Sequence, residues 1–483
     1  MKRIAIIFIG LILFSFSGCI QQGSHPVIPK PFEIQNRIVS ETLIANFDIF
    51  SKIPENFRIS PDSRRIAYVS TDNRKYSMVL DGKEGKEYDE IVYTNFIFSP
   101  DSQHVAYTAK EGEKWFIVQD GREGNQYDDI LKYDYISPVF SPNSELIAYA
   151  AKDGEKWSMV IDGKEGNRYD GILKYQYISI FSPDSMRIAY AVKEGEKWFV
   201  VVDGKEEEKY EISFAPIFSP DSERIAYAAR DKEKWFIVVD GKEGKKYDNI
   251  PPYTIIFSYD SKRIAYVASE NGKWFVVVDG KEEKHYDEIL KDSLTISPDS
   301  KRVAYVASEN GKWFVVADGK EEKQYDEILK YSLTISPDSG RIAYAAKESG
   351  KWFVVVDGKE GKKYDEILKY TLAFSPDSRR IAYAAKESGK WFIVIDGKEE
   401  KQYKDILEGT LTFSPDGKHV VYGASNGQRQ FIVADGLEGN NFDFVIFKYK
   451  GGSIKFDSNS SFHYLAQKGW GIFLEEETII DYI

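Results

Sequence analysis

One string in the chain has the spacing of a serine nucleophile. Gly423-Ala424-Ser425-Asn426-Gly427 fits G-x-S-x-G, in which a hydrolase serine sits on a tight turn between a strand and a helix, with an acid and a histidine further on. No helical period follows Gly427, and His463 is the only later histidine. Equivalent segments elsewhere read Lys-Glu-Ser-Gly, so the string reads as a hairpin turn. The five histidines, His25, His104, His285, His419 and His463, form no H-E-x-x-H pair. A single cysteine, Cys19, cannot build a Cys-rich zinc site or an intrachain disulfide. Neither a metal nor a cofactor is expected.

Carboxylates offer a second chemistry. Asp-Gly occurs at Asp81, Asp120, Asp162, Asp203, Asp240, Asp279, Asp318, Asp357, Asp396 and Asp435, usually with Glu three residues after the Asp. Such oxygens could ligate Ca²⁺. The alternative is a turn, with Asp bonding locally and Gly supplying positive φ. Ten copies favour the turn, because a metal or catalytic site is rarely built into every repeat.

A third possibility is a binding rim. Lys precedes Trp in eight segments, from Lys114 to Lys390, and Tyr recurs in the connections that follow. If hairpin and connection share one face, Lys114, Tyr133, Lys156, Tyr175, Lys312, Tyr331, Lys351 and Tyr370 line a rim that could hold an acidic peptide or a glycan. The plainer reading is a solvated face.

These residues sit in a chain of 483 residues, 42% apolar and 29% charged, which excludes a disordered polymer. Its net charge of -12 argues against non-specific nucleic-acid binding. Lys2-Arg3, the apolar run Ile4 to Phe16, then Ser17-Gly18 have the three-part layout of a secretory signal, too short for a comfortable membrane span. Cys19 after small residues resembles a prokaryotic lipobox, which implies a signal at 1–18 and lipidation of Cys19. Phe16 stands where Leu is usual. Residues 19–45 read as a lipidated tether.

The remainder, 46–483, is a repeat. Ser-Pro-Asp-Ser or a variant begins at Ser60, Ser99, Ser141, Ser182, Ser219, Ser258, Ser297, Ser336, Ser375 and Ser414, mostly 39 residues apart, and a degenerate copy follows from about Ile454. In the unit at Leu372, a short apolar run and the Ser-Pro-Asp-Ser turn precede the strand Arg380 to Ala385. A Ser388-Gly389 hairpin leads to the wholly apolar run Trp391 to Ile395, and Asp396-Gly397 to a fourth, alternating strand. Four short strands per 40 residues make a propeller blade, and a strand apolar at every position needs cover on both sheet faces.

Phe-Ser-Pro-Asp-Ser-x-Arg-Ile-Ala-Tyr resembles the TolB-type, WD-like propeller repeat, most closely at Phe413-Ser414-Pro415-Asp416-Gly417. The resemblance covers about 57–483 and implies an all-β fold of ten or eleven four-stranded blades. It leaves open one large ring, two rings or an open arc. The one irregular junction, at 210–217, could divide four blades from seven. No segment resembles the α/β domain that precedes the TolB propeller. The expected function is an envelope-anchored scaffold, tied to the membrane by its lipid, that binds an envelope protein or glycan without catalysis. The rival is a propeller hydrolase using loop carboxylates; near-identical blades from the fifth to the ninth disfavour it.

Overall fold

The computed structural model describes residues 32–34, 36–46, 57–72, 74–132, 138–172, 180–208, 210–212, 215–446 and 453–480. These form eleven antiparallel sheets, one per repeat, in a single β-propeller ring. Cys19 and the rest of the signal region lie outside the described residues.

Blade 8 shows how the repeat is read. Its first strand comes in two pieces, Glu327–Ile328 and Thr334–Ile335, both paired to Ile342–Glu348. That strand pairs with Lys351–Val356, which pairs with Lys359–Glu360. Ser349-Gly350 and Asp357-Gly358 both have two consecutive positive φ angles, the geometry of hairpin turns whose twist matches the strands.

Period-2 alternation decides what each blade face carries. Ala343 and Ala345 of the second strand pack with Tyr383 and Phe392 of blade 9, while Tyr344 and Phe353 pack against Ala304 and Val306 of blade 7. Each junction therefore sets a small face against a large one, which fills the gap without overpacking. Trp352 lies in that layer, and Tyr364 meets Tyr383 and Phe392 edge-on. The repeated tryptophans are therefore inter-blade filling, buried or half-buried.

The Ser-Pro-Asp-Ser turn is a second inter-blade device. Ser336 Oγ donates to Asp338 Oδ1 (2.6 Å) and accepts from Arg341 N (2.9 Å). Asp338 N donates across the junction to Ser378 Oγ of blade 9 (2.9 Å). Ser378 has φ +64, which glycine would adopt more readily, but glycine would remove this acceptor.

The ring closes through the N-terminus. Arg37–Asn46, of which the sequence assigns 37–45 to the tether, pairs with Gly471–Ile479 in blade 11. The propeller thus begins before residue 46, and the tether boundary at 45 is corrected. Blade 11 meets blade 1 through Arg64, which bonds Glu476 (2.7 Å) and Asp457 (2.9 Å), and through His463 Nε2, 2.5 Å from Asp62 O. Ser453 N, just before the strand Lys455–Phe456, donates to Ser63 Oγ in the blade 1 turn and adds a further bond across the closure. At 210–217, Glu211–Ile212 and Ile217–Phe218 pair with Ile225–Asp231 as their counterparts do, so the short step falls outside the paired segments and does not divide the ring.

Closure places polar groups in the core. Arg37 and Glu477 form a fully buried ion pair (2.7 Å), and Tyr464 Oη donates to Glu477 (2.6 Å). Among the described residues, the buried Glu475 has no hydrogen-bond partner for either carboxyl oxygen. Burial, helped by the neighbouring Glu41 and Glu477, pushes its carboxyl from 4.5 up to about 9. The native state holds a proton there that the unfolded chain gives up above pH 4.5, so stability falls as pH rises towards 9, by at most about 1.4 kcal/mol per pH unit. Glu475→Gln is expected to flatten that slope and raise stability at pH 8, as read by denaturant titration from pH 5 to 9; an unchanged slope would refute the assignment.

Candidate functional site

Strand order puts the second hairpins and the blade-to-blade connections at one end of the blades, and the Ser-Pro-Asp-Ser and Asp-Gly turns at the other. The rim lysines lie at the first end, but each is tied down. Lys114 pairs with Asp128 (2.7 Å), Lys156 with Asp170 (2.6 Å), Lys312 with Asp326 (2.6 Å) and Lys351 with Asp365 (2.6 Å). The other oxygen of each aspartate accepts a backbone N–H from the next blade's hairpin: Gly154, Gly195, Ser349 and Ser388. Each aspartate thus staples two blades. The lysine, then the backbone donor, hold its carboxyl below the ordinary range. The rim has little free positive charge, which weakens the case for an acidic peptide.

The tyrosines have different neighbours. Tyr331 and Tyr370 sit at the tips of bulges that interrupt the first strands of blades 8 and 9. Their rings stack at 5.0 Å and 23°. Lys330 lies over Tyr331 at 4.5 Å and pairs with Asp292 of blade 7 (2.8 Å), and Tyr331 Oη donates to Asp292 (3.3 Å). The predicted lysine–tyrosine rim therefore resolves into a neutralised ladder and a separate tyrosine row. Tyr133 and Tyr175 lie outside the described residues.

The bulge forms because a hydroxyl replaces backbone pairing. Ser332 Oγ donates to Leu329 O (2.7 Å) and accepts from Ala345 N (3.0 Å); Thr371 and Thr410 do the same in blades 9 and 10. In four blades the residue before the hydroxyl takes left-handed φ, +59 at Tyr253, +65 at Tyr331, +58 at Tyr370 and +75 at Gly409, whereas Asp292, before Ser293 in blade 7, has φ -94. Bulky residues rarely adopt this region, and such strain gathers at functional positions. These tyrosines are also 51%, 42% and 57% exposed. Tyr253 escapes the sequence pattern because Pro251-Pro252 replace Leu-Lys before it; Gly409, at the same repeat position, is the sequence signal of the backbone involved.

The other candidate residues, Asp162 apart, have structural partners. Asp357 Oδ1 accepts Ile342 N (2.9 Å), and Oδ2 accepts Arg341 Nε (3.2 Å). Arg341 reaches on to the carbonyls of Ser378 and Arg379 in blade 9, its guanidinium over Phe374 at 5.1 Å. Arg65, Arg187, Arg224, Arg263, Arg302 and Arg380 repeat this strap. Ser425 ends the strand Val420–Ser425, and its Oγ accepts Gly427 N (3.0 Å). His463 lies between Asp457 and Asp62 O in the closure junction.

Fold and surface together define a closed eleven-bladed propeller with an aromatic row along its first-strand edge. No known family matches the chain, and no curated protein does. Among solved structures, the chain is similar to a crystal structure of the eukaryotic initiation factor, at 11% identity over 79% of this chain and 96% of that one, with a TM-score of 0.42. It is similar to the Dos1 propeller (12%, 61% and 90%, TM-score 0.32) and to TolB from Acinetobacter baumannii (15%, 60% and 79%, TM-score 0.26). The propeller assignment rests on the strand pairing above.

If Tyr370 is held against its backbone preference, Tyr370→Gly should leave folding stability within about 1 kcal/mol of the parent, since relief of strain offsets the lost stacking. Thermal unfolding of the two proteins measures this; a loss of several kcal/mol would make the ring structural.

Proposed function

We propose that the protein is an envelope-anchored binding scaffold that holds a glycan against its tyrosine row and performs no chemistry of its own. The observation that carries the reading is the trio Tyr253, Tyr331 and Tyr370, exposed and held in left-handed backbone where Gly409 shows that glycine also fits. An aromatic face is electron-rich and apolar, which suits the C–H face of a sugar ring. Pairing of the rim lysines with aspartates favours this neutral ligand over an acidic peptide. The absence of catalysis is supported by the structural partners of Ser425, His463 and the Asp-Gly carboxylates other than Asp162.

Binding of envelope polysaccharide fragments to the full chain in detergent, measured by calorimetry, tests the reading. Changing Tyr253, Tyr331 and Tyr370 together to Ser should weaken binding by about tenfold or more, from about 0.5–1.5 kcal/mol per ring. Equal binding by both proteins would overturn it.

Anchoring is proposed from the sequence. Lipidation at Cys19 predicts that Cys19→Ser abolishes incorporation of labelled fatty acid. Undiminished labelling would exclude Cys19 as the site.

A further inference from the structure

The arginine strap is absent at two consecutive junctions, and a cavity lies there. In blade 4, Arg187 Nε donates to Asp203 (3.0 Å) and Nη1 to the carbonyls of Ser222 (3.0 Å) and Glu223 (2.8 Å) in blade 5. Blade 2 has His104 at this position. Its Nδ1 meets Asp120 (2.7 Å), but the ring is too short to span the junction. The carbonyls of Ser144 and Glu145, counterparts of those that Arg187 reaches, receive no side-chain donor among the described residues. Blade 3 has Leu146, which offers no donor at all. Asp162, its Asp-Gly carboxylate, makes no ion pair or hydrogen bond among the described residues, whereas Asp203 has both.

Asp162 lines a cavity of about 580 Å³ between blades 2 and 3, together with His104, Asp120, Arg122, Glu123 and Tyr149. Two of the three acids are already engaged: Asp120 by His104 and Val105 N, and Glu123 by Lys86 and Tyr88. Asp162 alone has an open carboxylate. Three acids against Arg122 and His104 leave the lining net acidic, and it includes a group that in seven other blades is met by a guanidinium.

We propose that this cavity is a binding site for a guanidinium group carried by a ligand, which pairs with Asp162 as the chain's own arginines pair with their Asp-Gly carboxylates. A planar guanidinium presents its N–H donors in a fixed fork suited to a carboxylate, which an ammonium cannot reproduce. The site lies at the Asp-Gly end of the blades and is separate from the tyrosine row.

Calorimetry on the full chain in detergent, with free L-arginine, N-acetyl-arginine amide, lysine and citrulline, tests this. Saturable binding of the two guanidinium compounds is expected, with citrulline and lysine at least tenfold weaker. Tighter binding of arginine than of the amide would identify a free amino acid; the reverse would identify a side chain within a peptide. Asp162→Asn should abolish binding. Leu146→Arg should abolish it too, while preserving or raising the unfolding temperature, because it supplies the strap from within the chain. No saturable guanidinium binding to the parent, or binding that survives both substitutions in folded protein, would overturn the proposal.

Discussion

The structure depends on the pairing of Arg37–Asn46 with Gly471–Ile479. Every blade has two apolar faces, and each is covered only by a neighbour. An open array would leave one face bare at each end and would need polar capping repeats. Here the first and last segments share one sheet, and Phe57, Ile59 and Ile66 of blade 1 pack with Ile446, Leu465 and Leu474 of blade 11. The contacts that complete the ring join residues some 400 positions apart, as with Arg64 and Glu476, so closure carries a large loop-entropy cost and is expected late in folding. The buried Arg37–Glu477 pair adds little net stability but penalises a misregistered closing strand, since a one-residue slip would turn Arg37 to the opposite face.

Within the ring, three devices repeat at each complete junction. The small-on-large packing of Ala343 and Ala345 against Tyr383 supplies apolar burial. The staple Lys312–Asp326–Ser349 ties one end of the blades, and the strap from Asp357 through Arg341 to Ser378 ties the other. The polar devices add modest energy individually, being half exposed. Their effect is geometric: each fixes the distance and rotation between neighbours. This accounts for the near-constant 39-residue unit better than any single strong contact would.

Most of this architecture was legible in the sequence. Apolar periodicity, Asn-Gly and Asp-Gly turns and the spacing of Ser-Pro-Asp-Ser gave strands, hairpins and blade boundaries, because those are local preferences. The number of rings was not legible, since closure depends on a segment whose strand character shows only when it meets its partner: Arg37–Asn46 reads as a polar tether until Gly471–Ile479 covers it. The candidate tyrosine row was visible only as repeated positions. Tyr331 and Tyr370 were found by repetition, but their stacking and backbone strain belong to three dimensions. The pairing of the lysines was not legible, because each partner aspartate lies 14 residues further along the chain and is recognised as such only once the third and fourth strands are paired.

The repeat also explains where function can reside. Consensus positions are occupied by structural contacts: Trp352 fills a junction, Asp326 staples one, Asp357 anchors a strap, and Ser378 accepts a turn N–H. A ligand that used any of these would compete with the ring. Two kinds of position escape that constraint. At the bulge tip the backbone is fixed by Ser332 or Thr371 one residue later, so the side chain at 331 or 370 is free to be aromatic, or absent as at Gly409. At position 146 the strap is lost, yet the turn bonds from Leu146 N to Ser141 Oγ and from Asn143 N to Ser185 Oγ persist. Blade 3 is thus still held by its packing and its turns, and the carboxylate that the strap would have used is released. Redundancy among the junction contacts is what allows a closed ring to give up one of them and gain a site.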